Sequence, residues 1–154
     1  MNAARRLTIV ICTYHREALL AQALASVARQ ELPSGLDASV IVVDNSDEGA
    51  AEAVVAEAAR ESPIPMRRLA AHPANIAVAR NAGVAAAQGE WIAFLDDDQQ
   101  AQPGWLVAVA EAIARFPHDV FFGAVEGVFE TPEAAGPAAR QLFSRAFDAE
   151  AGRE

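Results

Sequence analysis

Trp91-Ile92-Ala93-Phe94-Leu95-Asp96-Asp97-Asp98 runs an apolar stretch directly into three carboxylates. Bulky and aromatic side chains in a run of this length predict a strand over residues 90–95, buried on both faces of a parallel sheet. The acids cannot continue into that sheet, because unpaired buried carboxylates cost more than a strand gains. They belong at its carboxyl end, open to solvent, a cation or both. In open α/β sheets that edge is where ligands bind.

The flanking sequence supplies the rest of such a sheet. Residues 7–13 are β-branched and predict a central strand. Residues 16–30 carry Leu19, Leu20, Ala23, Leu24 and Val27 at helical spacing, ahead of a stop at Pro33-Ser34-Gly35. A second strand is expected over 39–44, then a helix over 48–61 capped by Ser46 or Asp47. Pro63 and Pro65 end it, and residues 66–70 form a short third strand. Residues 75–88 are Ala-rich and helical, closed by Gly89. Pro103 suits the first turn of a helix running to 116. A strand over 120–129, broken by Gly123 and Gly127, and a helix over 132–150 complete the chain.

Alternating strands and helices predict an α/β fold: three layers, doubly wound around a mostly parallel sheet. The 154 residues make one domain, with 1–6 and 149–154 frayed.

Composition narrows the function. Hydrophobic residues make up 53% and charged residues 21%, as in ordinary globular proteins. A net charge of −9 argues against nucleic acid or an anionic membrane surface as partner. All 12 basic residues are Arg, which excludes a lysine-dependent phosphate loop. Cys12, the single cysteine, lies in an apolar run and is expected to be a core thiol. No apolar stretch is long enough to span a membrane, no leader segment is recognisable, and a cytoplasmic location is expected.

Three expected strands end in polar residues, namely Thr13-Tyr14, Asp44-Asn45 and Asp96-Asp97-Asp98. Parallel strands bring these ends to one edge. Asp96 and Asp98, at D-x-D spacing, can share a hard cation, and oxygen ligands without His or Cys point to magnesium or manganese. The alternative is that the acids cap the next helix. Asp44 either accepts from a base or ribose or forms an Asx turn. Tyr14 stacks on a flat ring or packs at the sheet edge; Arg80 faces a phosphate or lies on a solvated helix face. His15 lines the cleft or is exposed, while His72 and His118 lie in Pro-flanked surface loops. Trp91 and Trp105 read as packing residues of the core or cleft wall.

In order, residues 8–16 (Thr-Ile-Val-Ile-Cys-Thr-Tyr-His-Arg), 42–47 (Val-Val-Asp-Asn-Ser-Asp), 75–83 (Asn-Ile-Ala-Val-Ala-Arg-Asn-Ala-Gly) and 94–98, followed by Pro103-Gly104-Trp105-Leu106, resemble the nucleotide-binding part of family 2 glycosyltransferases of the GT-A fold. The resemblance implies a glycosyltransferase that moves a sugar, with inversion, from a nucleotide-diphosphate donor to an unknown acceptor: a glycan, a lipid or a small molecule. It implies that Thr13, Tyr14 and Asp44 hold the nucleoside and that Arg80 lies near the nucleotide. Arg16, Asn75 and Asp97 fall in the same donor-binding segments. Asp96 and Asp98 would bind the diphosphate through Mn2+ or Mg2+, with Asp98 the direct ligand. Such a cation explains how an acidic, lysine-free chain binds an anionic donor.

Two departures stand out. Ala77 replaces the family's usual Gly and narrows the ligand's approach. The chain is also expected to lack most of the acceptor-binding half: residues 120–129 fit its start, but Glu126, Glu130 and Glu133 fall in no recognisable base motif. The acceptor-activating base is therefore unassigned. A donor-binding fragment without transfer activity is the first alternative. A D-x-D phosphatase-like phosphoryl transfer is a distant second, since its nucleophile would follow the first strand and Gln99 stands where Thr or Val is expected.

Overall fold

A computed structural model describes residues 4–129, 131–133 and 135–145. The chain divides into two compact units, 1–110 and 111–154.

The first unit is an α/β layer structure. Its strands are β1 (Arg5–Thr13), β2 (Leu36–Asp44), β3 (Met66–Ala70) and β4 (Trp91–Phe94), all parallel in the order β3-β2-β1-β4. Between them run α1 (Glu17–Ala28), α2 (Glu52–Glu61) and α3 (Ile76–Ala86), and α4 (Trp105–Arg115) follows β4. Successive strand side chains point to opposite faces, which separates two cores. Ile9 and Ile11 of β1 and Val40 and Val42 of β2 pack with Leu20, Leu24 and Val27 of α1, Val55 of α2 and Leu106 of α4. Val10, Ile41 and Val43 face the other way, with Ala79 of α3.

The register places the future site. Thr13 pairs with Asp44, and Val10 pairs with Phe94, so the carboxyl ends of β1, β2 and β4 share one edge. The expected convergence is therefore present.

Several expectations are corrected. β4 is not buried on both faces: it is an edge strand, with Ile92 36% and Phe94 49% exposed. Its register sets those two beside Thr8 and Val10 on the α3 side, but α3 lies over β1 and β2. Trp91 and Ala93, on the other face, pack against the larger core. Arg5 and Arg6 are paired in β1 and not frayed; residues 1–3 and 149–154 lie outside the described residues. α2 begins at Glu52, four residues later than expected, and neither Ser46 nor Asp47 is its N-cap. Pro103 sits in the turn before α4. Gly89 is not a helix cap, since α3 ends at Ala86 and is capped by Ala87; its bare Cα lets the chain approach β1, where a Cβ would meet Arg6 O at 2.7 Å and Thr8 N at 2.9 Å.

In the second unit the expected strand over 120–129 is reduced to an isolated antiparallel bridge between Val125 and Arg145. A strand needs a continuous ladder, and here Val120, Phe122 and Val128 are 66–90% exposed instead of packing on one face. The expected helix over 132–150 shrinks to α5 (Pro137–Phe143), which opens with Pro at its first position and ends at an extended Ser144. Residues 146–150 and Glu130 lie outside the described residues. His118 lies in a loop as expected and is partly covered there by the rings of Phe116 and Phe121.

Candidate functional site

The shared strand edge opens into a cleft of about 590 Å³. Thr13, Tyr14, Arg16, Asn75, Arg80, Asp96, Asp97 and Asp98 all line it, so eight of the nine residues picked from the sequence meet there. Asp44 does not.

The three acids have different surroundings. Asp97 is buried and both its oxygens are taken: Thr13 Oγ1 donates to Oδ2 at 2.9 Å and Arg16 Nη1 to Oδ1 at 3.2 Å. The same Arg16 nitrogen donates to Asp98 Oδ2, also at 3.2 Å, with both side chains about half exposed. Asp96 faces Arg80, Nη2 to Oδ1 at 3.6 Å, and its backbone N–H donates to Gln99 Oε1. Asp97 is thus an internal anchor, while Asp96 and Asp98 are accessible carboxylates held by guanidinium groups. α4 starts at Trp105, beyond the trio, and carries no acid in its first turn, which weighs against the capping alternative.

Asp44 is fully buried and saturated. Oδ1 accepts from the Ser46 N–H and hydroxyl; Oδ2 accepts from the Ala51 N–H at 3.0 Å and Arg68 Nε at 2.9 Å. A carboxylate has about four acceptor sites, so none is left for a ribose or base. Burial pushes the carboxyl's pKa up, but the Ser46 hydroxyl, Arg68 and two backbone N–H groups together outweigh it and hold it at about 2. Asp44 instead folds the β2–α2 loop, the Asx role left open by the sequence.

Its neighbour Asn45 takes the cleft position. Asn45 Nδ2 donates to the carbonyls of Ala71 and Pro73, and Oδ1 accepts from the Asn75 N–H at 2.7 Å. Asn75 caps α3 through its own Oδ1, which accepts from the Ala77 N–H at 2.8 Å. Alternation along β2 signals that Asp44 and Asn45 face opposite ways, without saying which of them enters the cleft.

Tyr14 is 53% exposed and meets the His15 ring edge-on at 4.3 Å. His15 has a left-handed φ of 53° and pairs with Glu48, not with the cleft; His72 pairs with Asp47 at the surface. Cys12 is half-buried: it packs against the smaller core, as expected, and also lines the cleft. Burial raises its thiol pKa, Arg80 opposes this, and Asp96 and Asp97 add to it.

The donor set suits a hard cation in chemistry, being carboxylate oxygen without His or thiolate. It is short in number: among the described residues no three His, Cys, Asp or Glu side chains converge as a metal site. Asp96 and Asp98 can supply two ligands, so the remaining positions need water or a ligand's own oxygens. Among the described residues no helix is long and apolar enough to cross a membrane.

The model of glycosyl transferase family 2 matches residues 8–151. Succinoglycan biosynthesis protein ExoM of Rhizobium meliloti is 34% identical over 110 residues, 71% of this chain and 35% of that protein. Uncharacterized glycosyltransferase YwdF of Bacillus subtilis is 33% identical over 147 residues, 94% of this chain and 52% of that one. The chain thus spans about half or less of these relatives' length. Among solved structures, mannosyltransferase PcManGT from Pyrobaculum calidifontis, in complex with GDP-Man and Mn2+, superposes with a TM-score of 0.62 at 23% identity. That match covers 82% of this chain and 36% of the mannosyltransferase, and it concerns the fold.

Proposed function

The chain belongs to glycosyl transferase family 2, and on that premise we propose that its cleft holds the nucleotide diphosphate of a sugar donor for transfer to an acceptor. One observation carries this reading: two arginines face three acids at the mouth of a single cleft, beside a half-exposed tyrosine. An anionic ligand with a flat ring at one end and a diphosphate at the other fits that order of groups.

In this reading Tyr14 offers its ring to the base. Asn45 and Asn75 hold the start of α3 so that Arg80 faces the diphosphate. Thr13 fixes Asp97, which in turn orients Arg16. Asp98 and Asp96 would hold Mn2+ or Mg2+ together with phosphate oxygens. When bound, such a cation supplies Lewis-acid stabilisation of the leaving diphosphate. Transfer with inversion and a cytoplasmic location complete the proposal, with a glycan, a lipid or a small molecule as acceptor; the relative named for succinoglycan biosynthesis makes a glycan the first to test.

Donor binding without transfer is the second reading. It is favoured by a cleft lining whose only described carboxylates are Asp96, Asp97 and Asp98, all placed on the donor side. The phosphatase-like alternative loses its ground, since the acids follow an edge strand, fourth in sequence, in a glycosyltransferase family member.

A thermal-shift panel of uridine, guanosine and thymidine diphosphates, each with and without MnCl2, tests the proposal. Stabilisation by one nucleotide that requires the metal and is lost in Asp98→Asn is expected. No shift with any nucleotide would refute donor binding. Sugar release onto added glycan, assayed with the nucleotide sugar so identified, separates transfer from binding alone.

A further inference from the structure

We infer that Arg16 is a resident counter-cation that competes with a divalent metal for Asp98, so that metal and nucleotide diphosphate enter the cleft as a coupled pair. The inference rests on the donor-binding reading above.

The geometry makes Arg16 a divided group. A single nitrogen, Nη1, serves Asp97 Oδ1 and Asp98 Oδ2, each at 3.2 Å. The Asp97 end is fixed, because that carboxylate is buried and its other oxygen is held by Thr13 at 2.9 Å. The Asp98 end is loose, with both partners about half exposed. The backbone of Arg16 is held where α1 begins, its carbonyl accepting from the Leu20 N–H at 2.9 Å. The side chain can therefore let go of Asp98 without leaving the cleft.

Charge explains why it would. Asp96, Asp97 and Asp98 carry three negative charges, and Arg16 and Arg80 return two, leaving one negative charge in the ligand-free cleft. A divalent ion alone would displace a guanidinium from Asp98 and leave two arginines beside a dication. A diphosphate alone would meet three carboxylates. Arriving together, the metal takes Asp98 while the freed N–H groups of Arg16 turn to phosphate oxygens, for which the planar fork is suited. Each ligand then raises the affinity of the other, by one reciprocal factor. The same balance accounts for a donor set too small to hold a metal unaided.

The test is calorimetric titration of MnCl2 into the full 154-residue chain, without nucleotide and then with saturating uridine or guanosine diphosphate, for wild type, Arg16→Gln and Arg16→Lys. Removing an exposed ion pair should tighten metal binding by the nucleotide-free protein about three- to fivefold in Arg16→Gln. The factor by which nucleotide enhances metal affinity should fall about tenfold. Arg16→Lys keeps the charge but not the fork, so it should lie between the two. Circular dichroism verifies folding, and Arg16→Lys carries the test by itself should the glutamine variant not fold. Metal-only affinity that is unchanged or weaker in the folded variants overturns the inference while leaving donor binding intact. A wild-type chain that binds neither nucleotide nor metal, alone or together, overturns both.

Discussion

The hydroxyl of Thr13 donates to Asp97 Oδ2 at 2.9 Å, so one buried hydrogen bond joins the end of β1 to the loop after β4 across 84 residues of sequence. Thr13→Val keeps the shape and removes the donor. An unsatisfied buried carboxylate oxygen then costs about 1–3 kcal/mol. We expect a melting temperature several degrees lower and weaker nucleotide binding, with Thr13→Ser restoring both. Unchanged stability in the valine variant would show that water replaces the hydroxyl.

Asp44 is the chain's acid-sensitive point. Its folded pKa of about 2 lies below the usual 3.8. A depressed carboxylate adds stability that is complete above the unfolded value and is lost as pH falls through the folded one. The difference corresponds to about 2 kcal/mol, disappearing between about pH 4 and pH 2. Asp44→Asn should flatten urea stability over that window and cost about 3 kcal/mol at neutral pH, because Arg68 loses its partner. Denaturant midpoints measured at pH 7, 4 and 2.5 check both parts.

Cys12 reports on the cleft. Burial and the nearby Asp96 and Asp97 keep its thiol protonated, against Arg80. Labelling by a maleimide at pH 8 should therefore be slower than for a free thiol. Asp96→Asn should speed it roughly twofold and Arg80→Gln should slow it, the opposite signs following from the opposite charges. Bound nucleotide should protect the thiol.

Two glycines set how closely the layers approach. A Cβ on Gly89 would press on the backbone of Arg6, Thr8 and Trp91, all within 2.9 Å. A Cβ on Gly83 would meet the Val10 side chain at 2.5 Å and that of Val43 at 3.2 Å. Backbone cannot yield as side chains can, and a helical position regains about 1 kcal/mol on changing Gly to Ala. Gly89→Ala should thus cost about 3 kcal/mol and Gly83→Ala distinctly less. Equal midpoint shifts in urea would contradict this ordering.

Much of the site was legible because parallel strands leave little choice. Once residues 7–13 and 90–95 are read as neighbours, Thr13 and Asp97 must lie at one edge, and the register confirms it. What pattern could not resolve was side-chain direction at a strand's last residue. Asp44 and Asn45 look interchangeable as cleft residues until the β2–α2 loop is folded, when one is enclosed by four donors and the other lines the cleft. Helix ends moved by a few residues for a related reason, since Ser46 spends its hydroxyl on Asp44 and the Ala50 N–H and not on a cap. The apolar residues of 120–129 satisfied a strand pattern without the ladder partners a strand needs.

The position of β4 bears on how molecules of this protein meet one another. Among the described residues β4 lies at the edge of the sheet, with Ile92 and Phe94 exposed on one face. A border of this kind is where further backbone adds to a sheet, whether from the same chain or from another. The tally of −9 keeps like molecules apart at low ionic strength, and salt screens that repulsion within about 10 Å at 0.1 M. The strand that leads into the three acids thus has two borders among the described residues: its carboxyl end meets the cleft, and its outer side is where the sheet can be extended.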